Sequence, residues 1–353
     1  MYGTNDLSPT NGWTLRAAAR KAVAHLLSGV LAYQLQRMSH GHALILAYHR
    51  INTRDYLRTN HLMPGMYISV EAFIAHVEWL RTRYQMVSLN EIVTRIQRKT
   101  AWDVPCCAIT FDDGWHDNLE HAVPVLQRLQ IPATIFIVGD RIGVSEPDDF
   151  HLCFELLKRG KMPPLSGAGC EKIDQIIGSS TGDFIGKSLQ VLGLLRTLPL
   201  DRYNRVFASL RTAYRTLPDV AAIGTAYQTL SWDDMRKMQG AGIDFGYHSR
   251  GHDILPRLAA RDLIAAVTLP DEEAARHGVA LQRTFCYPDG AHNDAVIASI
   301  RETNYACAVT LIPGLNDINT DPYRLRRFNV HEGAAASPAE LCFTLMRALK
   351  NAG

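Results

Sequence analysis

What the 353-residue chain has little of narrows its class before any motif is read. It has no apolar run long enough to cross a bilayer, since the stretch 22–33 is too short and is interrupted by His25. It has no excess of charge, and a formal net charge of +2 gives no argument for a nucleic-acid partner. Its seven cysteines are odd in number and irregularly spaced, which argues against a disulfide framework and fits a reducing compartment. Internal repeats and low-complexity tracts are lacking, so a solenoid is not expected. No small-residue cleavage site follows the N-terminal apolar stretch, a poor pattern for a secretory signal. Acidic residues are nearly missing from the N-terminus, where Asp6 is the only one before residue 50. What remains is an ordinary globular composition, 47% hydrophobic and 20% charged, long enough for two domains or for one barrel.

The chemistry concentrates at Thr110-Phe-Asp-Asp-Gly114. Residues 106–111 are a short apolar run between Pro105 and Gly114, the pattern of a buried strand. Asp112 and Asp113 follow where a parallel strand would end, and ligands sit at that end in α/β folds. Adjacent carboxylates repel, so both stay ionised only beside a cation or strong donors. The plainer alternative is a turn at Asp113-Gly114, or a helix cap by Asp112. A second cluster, His248-Ser-Arg-Gly-His252, follows another strand-like run at 242–247. Two imidazoles and a carboxylate suit a zinc-like divalent ion, and Asp113, His248 and His252 would leave a position open for water or substrate.

Together these residues resemble the first two motifs of the polysaccharide deacetylases, the NodB-homology or carbohydrate esterase family 4 enzymes. Phe285-Cys-Tyr-Pro-Asp-Gly290 resembles the third, and the motif order covers residues 42–330. The resemblance implies an α/β fold, a distorted (β/α)7 barrel. It also implies Asp112 as general base, with Asp113, His248 and His252 holding a divalent metal, expected to be Zn2+. Cys286 stands where the commonest third motif, Arg-Pro-Pro-Tyr-Gly, has an arginine that orients the base. A branch associated with exopolysaccharide synthesis tolerates a small residue there, and the chain looks like that branch. The nearest arginine in the segment, Arg283, falls on the other face of its strand.

No Leu-x-His closes the chain. Instead Leu46-Ala-Tyr-His49 ends an apolar run at the start of the domain, resembling permuted members whose fifth motif comes first. His49 is therefore the expected acid for the leaving amine and His331 the alternative, while a structural histidine is the plainer reading of His49. The negative Asp112 is expected to raise its pKa. Substrate contact is expected at Tyr287, Pro288 and Asp289, through a backbone N–H facing the oxyanion.

In chain order, residues 1–41 read as a polar tail and a helix from Leu15 to Met38, with Leu15, Ala19, Ala22, Leu26, Val30 and Tyr33 along one face. Two readings stay open for it: a helix packed on the barrel, or a basic helix on a membrane surface. Residues 42–350 form the barrel, with helices expected at 70–83, 118–129, 260–277, 294–303 and 338–349. Capping boxes are expected at Ser88 and Ser231, and strands at 134–138, 243–247, 284–287, 306–311 and 324–330. A helical insertion at about 140–230, with patterns near 150–158 and 187–215, is too long to be a connection.

The resemblance thus implies a metal-dependent hydrolase that deacetylates an N-acetylhexosamine in a saccharide or a lipid- or nucleotide-linked precursor, within surface or exopolysaccharide biosynthesis. A deformylase of lipid-linked amino sugars and an inactive carbohydrate-binding homologue are the alternatives. The expected place is cytoplasmic, with peripheral contact at the inner face of the cytoplasmic membrane through the N-terminal helix.

Overall fold

The computed structural model describes residues 19, 21–60, 62–165, 170–179 and 184–352. Its strands are β1 (Ala43–Tyr48), β2 (Arg50–Asn52), β3 (Tyr67–Ser69), β4 (Gln85–Met86), β5 (Cys106–Phe111), β6 (Ala133–Ile137), β7 (Ile243–Tyr247), β8 (Leu281–Cys286), β9 (Cys307–Val309) and β10 (Phe328–Asn329). A parallel path runs β10-β1-β5-β6-β7-β8-β9, with β4 added on β5, while β2 and β3 pair separately. The segment 325–329 draws the two ends of the path together. Leu325 bridges Val309 of β9, and Phe328 and Asn329 pair with Leu46 and Ala47 of β1. The result is the distorted α/β barrel that the alternation of strands and helices implies.

Alternation along the strands divides the interior into two clusters. Leu44, Leu46 and Tyr48 of β1, Cys107, Ile109 and Phe111 of β5, and Phe285 of β8 meet Phe73 and Val77 of the helix Val70–Arg81. Ala43, Ile45, Cys106, Ala108, Phe136, Cys286 and Leu325 point the other way into the barrel. The helix Leu89–Arg98 packs on that inner cluster, and Ala43, Cys106 and Cys307 mark it as the end where the strands begin. The strands β1, β5 and β6 are therefore buried on both faces along their whole length, the usual state of a parallel sheet. Where β7 crosses Phe136 and Thr284 only glycine fits, because a Cβ on Gly246 would lie 2.4 Å from the Thr284 hydroxyl. All seven cysteines are free buried thiols, and Cys106 and Cys107 fall into opposite clusters.

Several elements depart from the expected boundaries for local reasons. Pro270 has no N–H, and 260–277 divides into Ala260–Val267 and Asp271–Arg276. Residues 118–122 form a wider π turn, because Pro124 sits at the start of the regular helix Val123–Leu129. Ser88 caps its helix, and Ser231 makes the full reciprocal box with Asp234. The expected strand 324–330 becomes a turn, Pro322–Arg324, and then the short β10, since it changes partner from β9 to β1 midway.

Residues 145–228 belong to a second compact unit. It holds the helices Asp149–Lys158, Glu171–Gly178, Phe184–Thr197, Leu200–Arg215 and Val220–Ala226, of which the third and fourth lie near the pattern at 187–215. Glu171–Gly178 falls where the sequence looks like loop. Glu155 inside this unit accepts from Tyr227 at 2.8 Å and pairs with Arg159.

The N-terminal helix is described from Ser28 to Met38, with helical residues preceding it, and Leu15 lies outside the described residues. It belongs to the barrel unit and packs on the helix Pro338–Ala352. Ala24 and Leu35 are buried, whereas Leu26, Val30 and Tyr33, three of the residues aligned in sequence, are exposed. Among the described residues no helix is long and apolar enough to cross a membrane.

Candidate active site

The strand that ends in two aspartates aims them apart. Asp112 continues the inward parity of Cys106, Ala108 and Thr110, and its N–H is still held by the carbonyl of Tyr48 at 2.9 Å. Asp113 then leaves the strand with φ +74° and Gly114 follows with φ +70°, so the chain turns back within two residues. A non-glycine residue in that region stores roughly 1–3 kcal/mol of strain, a pattern common at functional sites. His252 (φ +60°) and Ser249 (φ +67°) show the same strain after β7.

Asp113, His248 and His252 come together, with donor atoms all within 4.8 Å of one another. Asp113 Oδ1 lies 3.4 Å from Nε2 of each histidine, and the two rings stand at 80°. The surroundings orient His248 and Asp113. His248 Nδ1–H donates to the carbonyl of Cys286 at 2.8 Å, which leaves the Nε2 lone pair toward Asp113. The indole of buried Trp115 donates to Asp113 Oδ2 at 3.0 Å and leaves Oδ1 for the common point. Burial alone would raise the Asp113 pKa, but its hydrogen bond with His248 and the charge of His252 hold it well below the carboxylate range. Three converging donor atoms of N and O type fit a divalent metal of the zinc class, which would replace the proton that His248 shares with Asp113. The chemistry of the donor set, with its second shell in place, is what a metal requires.

Asp112 meets a different partner. Arg327 grips it with two parallel bonds, Nη1 to Oδ1 at 2.7 Å and Nη2 to Oδ2 at 2.8 Å. The guanidinium also donates to Thr110 Oγ1, the Thr310 carbonyl and Cys286 Sγ, and it is fully buried. Burial tends to raise the Asp112 pKa, but the charge and hydrogen bonds of Arg327 turn it downward, so the group is ionised. Arg327 thus orients the carboxylate, and Cys286, at 3.0 Å from Arg327, fills the room beside it. Arg283, by contrast, is exposed and paired with Asp271. Sequence reading passed over Arg327. The available signal was that it shares the inward side of its segment with Leu325, an unusual place for arginine.

His49 lies on the inward side of β1 while its neighbour Tyr48 points to the helices and meets His76 at 3.2 Å. His49 Nε2 is 3.9 Å from Asp112 Oδ2. Its pKa is lowered, not raised as the sequence suggested. Burial outweighs Asp112 and Asp113, and Arg327 and His248 push the same way as burial. The loop after β5 staples this histidine on both sides. Asn118 Nδ2 donates to the His49 carbonyl at 2.8 Å, and Asp117 accepts from Ile51 N–H and from Arg50 Nε. His331 opens the helix Glu332–Ala335.

Tyr287, Pro288 and Asp289 of the third motif follow β8. Tyr287 is buried, its hydroxyl donates to the Tyr323 carbonyl at 2.9 Å, and its N–H donates to Val309. Pro288 has no N–H. Asp289 follows in the left-handed region with φ +55°.

Comparison with known proteins fits this geometry. The family model described as polysaccharide deacetylase matches residues 100–160 and 202–308, which includes Asp112, Asp113, His248, His252 and Cys286 but neither His49 nor Arg327. YxkH of Bacillus subtilis (strain 168), a polysaccharide deacetylase by name, is 35% identical over 115 residues, 32% of this chain and 37% of that protein. The poly-beta-1,6-N-acetyl-D-glucosamine N-deacetylase of Staphylococcus aureus (strain MSSA476) is 25% identical over 122 residues, 31% of this chain and 39% of that one. The matched stretch thus spans less than half of either relative's length. The fold resembles the Streptococcus pyogenes deacetylase PplD solved with acetate, with a TM-score of 0.55 at 15% identity over 86% of this chain and 98% of that one. With its motifs at the strand tips where the family model aligns, the region spanning residues 100–160 and 202–308 belongs to the polysaccharide deacetylase family.

Proposed function

We propose that this protein hydrolyses the N-acetyl group of an N-acetylhexosamine, in a saccharide or a carrier-linked glycan precursor, during surface or exopolysaccharide synthesis. The observation that carries the reading is the convergence of a positioned carboxylate, a second carboxylate with two imidazoles, and a buried histidine at one end of one barrel. The names of the relatives support acetamido sugars as the substrate class.

Asp113, His248 and His252 would hold a divalent metal, with Zn2+ the proposed ion, and when bound it would act as a Lewis acid on the amide carbonyl. Asp112, ionised and fixed by Arg327, accepts a proton from the attacking water. The Asp289 amide faces the developing oxyanion. His49 delivers a proton to the departing nitrogen. Because its pKa is lowered, its ring is neutral at rest near pH 7, and the 3.9 Å gap to Asp112 offers a route for the proton taken from water. Acetate and a free amine are the products.

The test is acetate release from nucleotide-linked, lipid-linked and polymeric N-acetylhexosamines, by metal-stripped protein and by protein given back Zn2+. Release that depends on the metal is expected. No release from any substrate, or full release by the stripped protein, would overturn the reading. Formate release from N-formyl sugars with no acetate release would instead favour the deformylase.

A further inference from the structure

The helix that precedes the barrel is apolar on two sides, and only one of them is covered. Ala24, Leu31 and Leu35 lie along one stripe, and Leu31 and Leu35 join the main core. Val23, Leu26, Leu27, Val30 and Tyr33 follow the i, i+3, i+4, i+7 spacing on the opposite stripe. They are 41%, 84%, 41%, 58% and 62% exposed. Only three exposed large hydrophobics, Val104, Ile264 and Ile312, lie outside this helix among the described residues, and they are scattered. A stripe of this kind is a contact surface rather than ordinary surface composition.

Charge indicates what it contacts. Between Asp6 and Asp55 the sequence holds no carboxylate, while Arg16, Arg20, Lys21 and Arg37 flank the apolar residues. Arg37 stays beside the stripe, its guanidinium 5.9 Å from the Tyr33 ring centroid. An apolar stripe with Arg37 beside it, on a stretch of sequence that carries cations and no carboxylate, complements an anionic lipid surface. A second copy of the same stripe would instead bring like charges together.

We infer that the outward face of this helix docks the protein on a membrane surface containing anionic phospholipid, with the inward face tying it to the barrel. The helix lies on the surface rather than across it.

Sedimentation of the full chain with vesicles tests this. Binding is expected to vesicles of phosphatidylcholine with phosphatidylglycerol, at least tenfold weaker binding to phosphatidylcholine alone, and weakening by salt. Leu26→Glu with Val30→Glu should lower binding to the anionic vesicles by at least tenfold while the melting transition and hydrolysis of a soluble substrate stay unchanged. Should that pair disturb folding, Leu26→Gln and Arg37→Glu carry the same expectation separately. Absence of binding to anionic vesicles, equal binding by the folded variants, or a dimer in light scattering that those variants dissolve would each overturn the proposal.

Discussion

The two aspartates at the tip of β5 are adjacent in sequence and opposite in circumstance. Asp112 is closed off: a buried guanidinium takes both its oxygens, and the pair is electrically complete. Asp113 is held by one indole donor and faces Nε2 of both His248 and His252, an arrangement with room for a cation between them. Alternation along the strand divides the labour. One residue belongs to the barrel wall that carries Arg327, and the next belongs to the turn that meets β7. Under the proposed mechanism, the carboxylate that takes a proton is kept ionised by the chain itself, and the carboxylate that holds a metal is left for one.

Breaking the closed half should have the largest effect. Asp112→Asn keeps the shape and removes the proton acceptor. Turnover should fall roughly 10²–10⁴-fold while the metal content per chain stays the same. Loss of metal in that variant would mean that the two roles are reversed.

His49→Ala tests the acid that lies against this half. Amide hydrolysis should fall by about 10²-fold or more with metal retained, and an activated aryl acetate, whose leaving group needs no proton, should suffer much less. Equal losses on both substrates would make His49 structural.

The open half can be sharpened without touching a ligand. Trp115→Phe removes the donor on Asp113 Oδ2 and should weaken metal affinity by about 10–100-fold, measured by competition with a chelator. Unchanged affinity would show that Asp113 needs no orienting.

The smallest effect is a displacement along the pH axis. Arg327→Lys keeps a positive charge and loses the fork, so the Asp112 pKa should rise. The ionised form of Asp112 is the active one and is lost as pH falls through its pKa. A raised pKa therefore moves the acid limb of kcat/KM upward, by about one unit or less, and leaves the alkaline limb in place. An acid limb that stays fixed would place its origin elsewhere.

These contrasts mark what sequence could and could not tell. Asp112, Asp113, His248 and His252 were legible because each follows its own short apolar run, and the tip of a parallel strand is a place fixed by topology. His49 was legible for the same reason. Arg327 was not. It sits 215 residues from Asp112, in a segment whose pairing changes partner midway, and local pattern does not reveal which residue a buried guanidinium will meet. The direction of the His49 pKa was lost for a related cause. Proximity to Asp112 can be guessed from motif order, but complete burial and the repulsion of Arg327 belong to the assembled barrel. Glu171–Gly178 was hidden by its brevity, and most of its stability must come from packing rather than from propensity.

The seam of the barrel gives the site a further property. The segment that joins β9 to β1 is also the one that brings Arg327 to Asp112, so the ring cannot open there without parting two buried charges. Removing one partner of such a pair, which leaves the other charge buried and unpaired, costs about 3–5 kcal/mol. The ion pair that readies the base is therefore also the latch on the ring. Arg327 lies 215 residues from Asp112 in sequence, so this pair forms only when the segment 325–329 docks between β9 and β1, and under the proposed mechanism readiness of the base and closure of the ring come together.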